Sequence, residues 1–264
     1  MMRCRDVSLT LGDYAVLRDV SLDLDRKELC GIVGPNGAGK SSLLRIMGGA
    51  LPPDSGSVML DDRDIASLDV RALARERAFM LQETHVSFDF RVEELVLLGR
   101  APHEPVETPA CRAMAARAIE SVGLESRGAL SVEALSGGER QRAHLARVLT
   151  QVGMGQTGRY LLLDEPVSSQ DPYWQLQIMT RLQGLARAGL GIAVVLHDLN
   201  LAARFCDTVA LLGAGRLLQK GSPREVFTAD RLGSAFGVEV HVGDDPFDPA
   251  RPLVSFNSLP ASPA

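Results

Sequence analysis

Three groups of residues in this 264-residue chain have types and spacings that could do chemistry. The first is Gly34-Pro35-Asn36-Gly37-Ala38-Gly39-Lys40-Ser41, with Ser42 next, which has the spacing G-x-x-x-x-G-K-S. Glycines let backbone N–H groups curl around phosphate oxygens, and a helix N-terminus behind them adds a positive dipole. In such a loop Lys40 reaches the outer phosphates as a point charge, and the Ser41 hydroxyl is a ligand for Mg²⁺. The second group is Asp164-Glu165, which closes the apolar run Tyr160-Leu161-Leu162-Leu163 and precedes Pro166. Two adjacent carboxylates cannot both enter an apolar core without partners. At the C-terminal end of a buried strand they stand where open sheets bind ligands. Asp164 then suits Mg²⁺, directly or through water, and Glu165 suits a general base for an attacking water. The third group is Leu135-Ser136-Gly137-Gly138-Glu139. Ser136 and Glu139 have the spacing of a capping box, which predicts a helix start there with the helix running through Arg147. Two side-chain-free residues at that helix end make a second place for an anion.

These residues need a scaffold, and the hydrophobic pattern supplies one. Val7, Leu9 and Leu11, then Val20, Leu22 and Leu24, alternate with polar residues across Gly12-Asp13, the pattern of antiparallel strands with one wet face. The runs 30–33, 78–81, 160–163 and 192–196 are continuous and apolar, as strands covered on both faces of a parallel sheet are. Each chemical group sits at the end of such a strand or on a helix start. Between Gln82 and Ser136 helical periodicity replaces the strand signal, with helices expected over 91–99 and 111–122. The chain therefore reads as α/β: one domain over 1–264, with a mixed-sheet core from 1–83 and 136–220, an N-terminal antiparallel subdomain, and an inserted helical subdomain at 84–135. A tail at 221–264 carries two short helices and a strand over 238–242, and its proline-rich end from Pro246 reads as frayed. The acidic run Asp61-Asp62-Arg63-Asp64 reads as a hairpin turn.

Taken together these motifs resemble the ATP-binding-cassette ATPases across nearly the whole chain. The resemblance implies a P-loop NTPase fold, ATP and Mg²⁺ as ligands, and a second copy of the chain whose Ser136-Gly137-Gly138 loop, with Gln141 behind it, closes on ATP held by the first copy's phosphate loop. It implies roles for three more residues. Gln82, after the strand at 78–81, would join the Mg²⁺ site and couple to a membrane permease. His197, at the end of the strand at 192–196, would contact the γ-phosphate and with Lys40 stabilise developing charge. Tyr14 would stack on adenine, although a strand-turn tyrosine facing the core is the alternative. One position departs from the family: after the acid pair, Val167-Ser168-Ser169-Gln170-Asp171 carries Gln170 where leucine is usual. Leu98-Gly99-Arg100-Ala101-Pro102-His103, the run after His197, the segment 153–158 and the tail around 236–241 are similar to importers of iron chelates, haem and cobalamin, haem importers above all. The implied function is the ATPase subunit of a haem importer. A siderophore or cobalamin importer and a non-transport ATPase of the same superfamily are the alternatives.

Composition fits these expectations. With 28 basic and 33 acidic residues and a formal charge of −5, the chain lacks the basic surplus of a nucleic-acid binder. Its four cysteines are scattered, with no metal or disulfide spacing, as in a reduced cytosolic protein. No apolar run is long enough to cross a membrane. The expected place is the cytoplasmic face of the inner membrane, against a permease, with a substrate-binding protein acting from the far side. His103, His144 and His241 show no metal-ligand spacing.

Overall fold

The structure is a computed structural model that describes residues 1–81, 89–103, 106, 108–154 and 158–257. Gln82 and the middle of the 153–158 segment lie outside the described residues. The chain opens with an antiparallel hairpin, β1 (Met2–Leu11) and β2 (Tyr14–Leu24). β3 (Leu29–Val33), buried throughout, delivers the chain to the phosphate loop and to α1 (Lys40–Met47). β4 (Ser55–Leu60) pairs with β1 and turns through Asp61 and Asp62, at φ 49° and 64°, into β5 (Arg63–Asp64). Those two positive φ values suit a two-residue hairpin turn, the geometry expected of this acidic run. α2 (Val70–Glu76) leads into β6 (Arg77–Met80). α3 (Val92–Leu97), α4 (Pro109–Ser121) and α5 (Gly137–Gln151) precede β7 (Tyr160–Asp164). α6 (Pro172–Arg187), β8 (Gly191–Val195), α7 (Leu199–Phe205), β9 (Thr208–Gly213) and β10 (Arg216–Gly221) follow. The tail holds α8 (Pro223–Val226), α9 (Ala229–Phe236), β11 (Val240–Asp244) and β12 (Pro252–Phe256).

The central sheet has the order β10-β9-β3-β8-β7-β6, parallel except for β10, and the N-terminal sheet the order β2-β1-β4-β5. Side-chain alternation divides the central strands between two cores. Cys30, Ile32, Leu162, Ala193 and Val195 pack with α1 and the inner face of the N-terminal sheet. Leu29, Val33, Leu161, Leu163, Ile192 and Val194 pack with α5, α6 and α7 on the other side. This two-sided burial is why these strands read as continuous apolar runs. It also lines up the C-terminal ends of β3, β7 and β8 along one edge, carrying Gly34, Glu165 and His197 respectively.

Two expectations need correction. The strand reading omits β9, β10 and β12. The end beyond Pro246 is not frayed up to Asn257: β12 pairs with β11 from Asp244↔Pro252 to Val240↔Phe256. Pro252 is tolerated because it sits at the first residue of the strand. Asn200 on α7 fastens β12 from the side, its amide donating to the Val254 carbonyl (3.1 Å) and accepting from the Val254 N–H (2.8 Å).

Candidate functional site

The phosphate loop lies between β3 and α1 because its glycines meet constraints no other residue could. Gly34 has φ +146°, and a Cβ there would fall 2.1 Å from the Leu212 carbonyl oxygen of β9. Gly39 has φ +94°, and a Cβ would fall 2.6 Å from Leu17 and 2.8 Å from the Val16 oxygen on β2. The loop is thus clamped between the two sheets, with Gly37 facing open space. Lys40 is buried and folds back over the loop, its ammonium donating to the carbonyls of Gly34 (2.8 Å) and Pro35 (2.9 Å). Burial lowers its pKa, opposed by the Glu165 and Asp164 carboxylates.

Asp164 and Glu165 divide between two neighbours. Asp164 is fully buried, and its Oδ1 accepts the Ser41 hydroxyl at 3.0 Å. Its Oδ2 is buried with no hydrogen-bond partner, and burial raises its pKa. A carboxylate oxygen without a partner beside a serine hydroxyl is a donor set for a hard divalent cation whose remaining ligands come from phosphates and water. Among the described residues no group of three His, Cys, Asp or Glu side chains could hold a metal unaided. Glu165 turns away from β7 at φ 51°, a left-handed conformation unusual for glutamate. The turn points its carboxylate at the imidazole of His197, and the two are hydrogen-bonded. Tyr14, Val16, residues 36–42, Glu165 and His197 line one cleft of about 560 Å³. Tyr14 is 61% exposed at its rim, so it does not face the core. A larger cleft, about 720 Å³, lies between α3 and α4 and includes none of these residues.

The capping box at α5 is formed: the Ser136 hydroxyl accepts from Glu139 N–H (3.3 Å), and the Glu139 carboxylate accepts from Ser136 N–H (3.0 Å). This helix start does not open into the phosphate cleft. Gly137 lines a separate recess of about 220 Å³ with Met80, Arg140, His144, Ser168 and Ser169. The chain therefore brings Tyr14, the phosphate loop, Asp164, Glu165 and His197 together, and leaves Ser136-Gly137-Gly138 apart from them. Gln141 is engaged within the chain, donating to the Glu165 carbonyl (2.6 Å) and accepting from Gln170 (2.9 Å). The sequence alone does not point to Val16, Arg142 or Trp174, and His144 enters it only as a histidine without metal-ligand spacing. Gln170 was visible only as a departure from the family pattern.

Residues 17–168 match the family described as ABC transporter. The chain is 43% identical to the hemin import ATP-binding protein HmuV of Bordetella bronchiseptica, over 96% of this chain and 98% of that one. It is 41% identical to the protein of the same name from Pseudomonas aeruginosa, over 96% and 99%. A bacterial ABC transporter cassette solved as a dimer superposes with a TM-score of 0.76 at 27% identity, over 85% of this chain and 99% of that one. An ATP-binding cassette in a post-hydrolysis state with ADP and Pi superposes at 0.74 and 25% identity, over 85% and 99%. With its phosphate loop, its strand-end acid pair and these relatives, the chain belongs to the ABC transporter family as an ATP-binding, ATP-hydrolysing cassette.

Proposed function

We propose that this cassette is the ATPase subunit of a haem importer, and that two copies work head to tail against a membrane permease on the cytoplasmic side. The observation that carries the catalytic part is the meeting of Glu165 and His197 on the wall of the cleft whose floor is the phosphate loop. Residues 34–42 hold the phosphates with backbone donors, Lys40 neutralises the outer ones, and Tyr14 at the rim takes the adenine. Glu165 accepts a proton from the water that attacks the γ-phosphate, and His197 keeps that carboxylate aimed while lying where negative charge develops. Ser41 and Asp164, with Gln82 as a third ligand, would hold Mg²⁺, and the unpartnered Asp164 Oδ2 fits that assignment. Bound there, the ion neutralises phosphate charge. The Ser136-Gly137-Gly138 helix end closes the site from the second copy. The helical insertion at 84–135 faces the permease, with Gln82 as its link to the nucleotide. Cargo selection falls to the permease and an external binding protein. The haem assignment is supported by relatives named for hemin import at 41% to 43% identity over 96% of the chain.

Two measurements test this reading. Glu165→Gln should bind ATP normally and lose ~10²-fold or more in hydrolysis, the usual contribution of a general base. Turnover at the wild-type rate would remove Glu165 from the role. For the cargo, the chain would be purified with the permease it associates with and placed in proteoliposomes. Haem delivered by its binding protein should stimulate ATP hydrolysis. Stimulation by a ferric siderophore or cobalamin instead would reassign the cargo, and failure to associate with any permease would end the transport reading.

A further inference from the structure

Gln170 stands where the family usually carries leucine, and it is 8% exposed. A buried amide needs partners, and this one has them at both ends. Its Nε2 donates to the Gly138 carbonyl (2.9 Å) and to Gln141 Oε1 (2.9 Å), and its Oε1 accepts from Arg142 Nη1 (2.9 Å). The reverse orientation is chemically excluded, since it would set an NH₂ against a guanidinium and an oxygen against two acceptors. Leucine could fill the space but would make none of these bonds.

The partners extend in two directions. Toward the cleft, Gln141 Nε2 donates to the Glu165 carbonyl at 2.6 Å and to Ser168 Oγ at 3.3 Å. Gln170 is therefore one side chain removed from the backbone of Glu165. Toward the helical layer, the Arg142 guanidinium lies 4.2 Å from the centroid of the Trp174 ring. That ring in turn rests on Gly123, just past the end of α4, where a Cβ would fall 2.0 Å from the indole. The two glycines at the start of α5 divide accordingly. Gly137 meets nothing within 4 Å and faces outward, whereas a Cβ on Gly138 would lie 2.9 Å from the Ser169 carbonyl oxygen. Gly138 is thus the residue that lets the loop carrying Gln170 sit against α5.

We propose that Gln170 is a positioning residue, which fixes the first turn of α5 and the turn carrying Glu165 as one unit and ties that unit to α4 through Arg142 and Trp174. In this arrangement a shift of the helical layer moves the Glu165 backbone in the same copy. A positioning error of about 1 Å at a reacting group costs up to about 10² in rate. The role rests on Glu165 acting as the base, so its test must separate the two.

Steady-state ATP hydrolysis by the full chain provides that test. Gln170→Leu should lower kcat about tenfold while KM for ATP stays within about twofold, because the phosphate loop is untouched. Gln170→Glu loses both donors and sets an oxygen against Gly138 and Gln141, but its ion pair with Arg142 offsets that repulsion, so it should fold and still lose kcat. Its single-variant result decides the question if Gln170→Leu does not fold. Combining Gln170→Leu with Gln141→Leu should cost no more than the worse single variant, since both break one link. Trp174 is the sole tryptophan, so its fluorescence reads the other arm directly. Acrylamide quenching should increase in Gln170→Leu, where Arg142 loses its partner, and stay at the wild-type level in Gln170→Glu. Wild-type kcat in both Gln170 variants, or fully multiplicative losses with Gln141→Leu, would overturn the proposal. If Glu165→Gln is inactive and the Gln170 variants are normal, only the positioning role falls. If Glu165→Gln turns over normally, the base assignment falls first.

Discussion

Asp164 and Glu165 are adjacent in sequence and opposite in circumstance. The strand holds Asp164 inside the protein with one oxygen unpartnered, and the left-handed turn swings Glu165 onto His197. Sending two adjacent carboxylates to different neighbours thus depends on one unusual backbone angle. His144 shows the cost of burying a polar ring without such arrangements. It is 3% exposed, and neither ring nitrogen has a hydrogen-bond partner. Burial lowers its pKa from 6.5 to about 4, with Arg147 and Arg140 adding to the shift. Since the folded pKa lies below the unfolded one, the unfolded chain takes up the proton first as pH falls. Stability is therefore lost between about pH 6.5 and pH 4, amounting to about 2 kcal/mol between pH 7 and 5. Urea unfolding at those two pH values should show that loss in the wild type and a clearly smaller one in His144→Gln. Equal losses would mean that His144 titrates normally in the folded protein.

At the scale of elements, legibility followed locality. The phosphate loop, the acid pair and the capping box are contiguous, and each carries its chemistry within a few residues, so spacing alone found them. The β3, β7 and β8 strands were legible because burial on both faces leaves a continuous apolar run. β9 obeys the same rule through Val209-Ala210-Leu211-Leu212 and was readable by it. β12 was not, because its pairing comes from β11 and from Asn200, about fifty positions away, and its own five residues begin with proline. The same limit hid the Gln170 network, which joins side chains from three segments. The latch of β12 onto α7 is testable at this scale. Asn200→Ala removes two neutral hydrogen bonds, together worth about 1–2 kcal/mol. Amide exchange at Val254 and its hairpin neighbours should then quicken by about tenfold, with the central strands unchanged. Unaltered exchange would show that Arg251, whose guanidinium donates to the Cys206 carbonyl at 2.9 Å, holds the tail without Asn200.

For the whole molecule, the informative fact is a separation. The phosphate cleft and the Ser136-Gly137-Gly138 helix end belong to one chain but open into different cavities. A two-fold dimer can join the cleft of each copy to the helix end of the other, giving two equivalent composite sites. Mixing variants distinguishes this from a site completed within one chain. Lys40→Ala disables a cleft. Gly137→Asp puts a carboxylate at the helix end and should fold, because a Cβ there meets no atom within 4 Å. Each variant alone should be inactive. In a mixed dimer both lesions fall in one composite site, and the other site is intact. Random pairing makes half the dimers mixed, so about a quarter of the wild-type sites should return. Recovery of ATP hydrolysis on mixing, absent from either protein alone, is the expected result. If each site were completed within its own chain, every site in the mixture would carry one lesion and mixing would restore nothing.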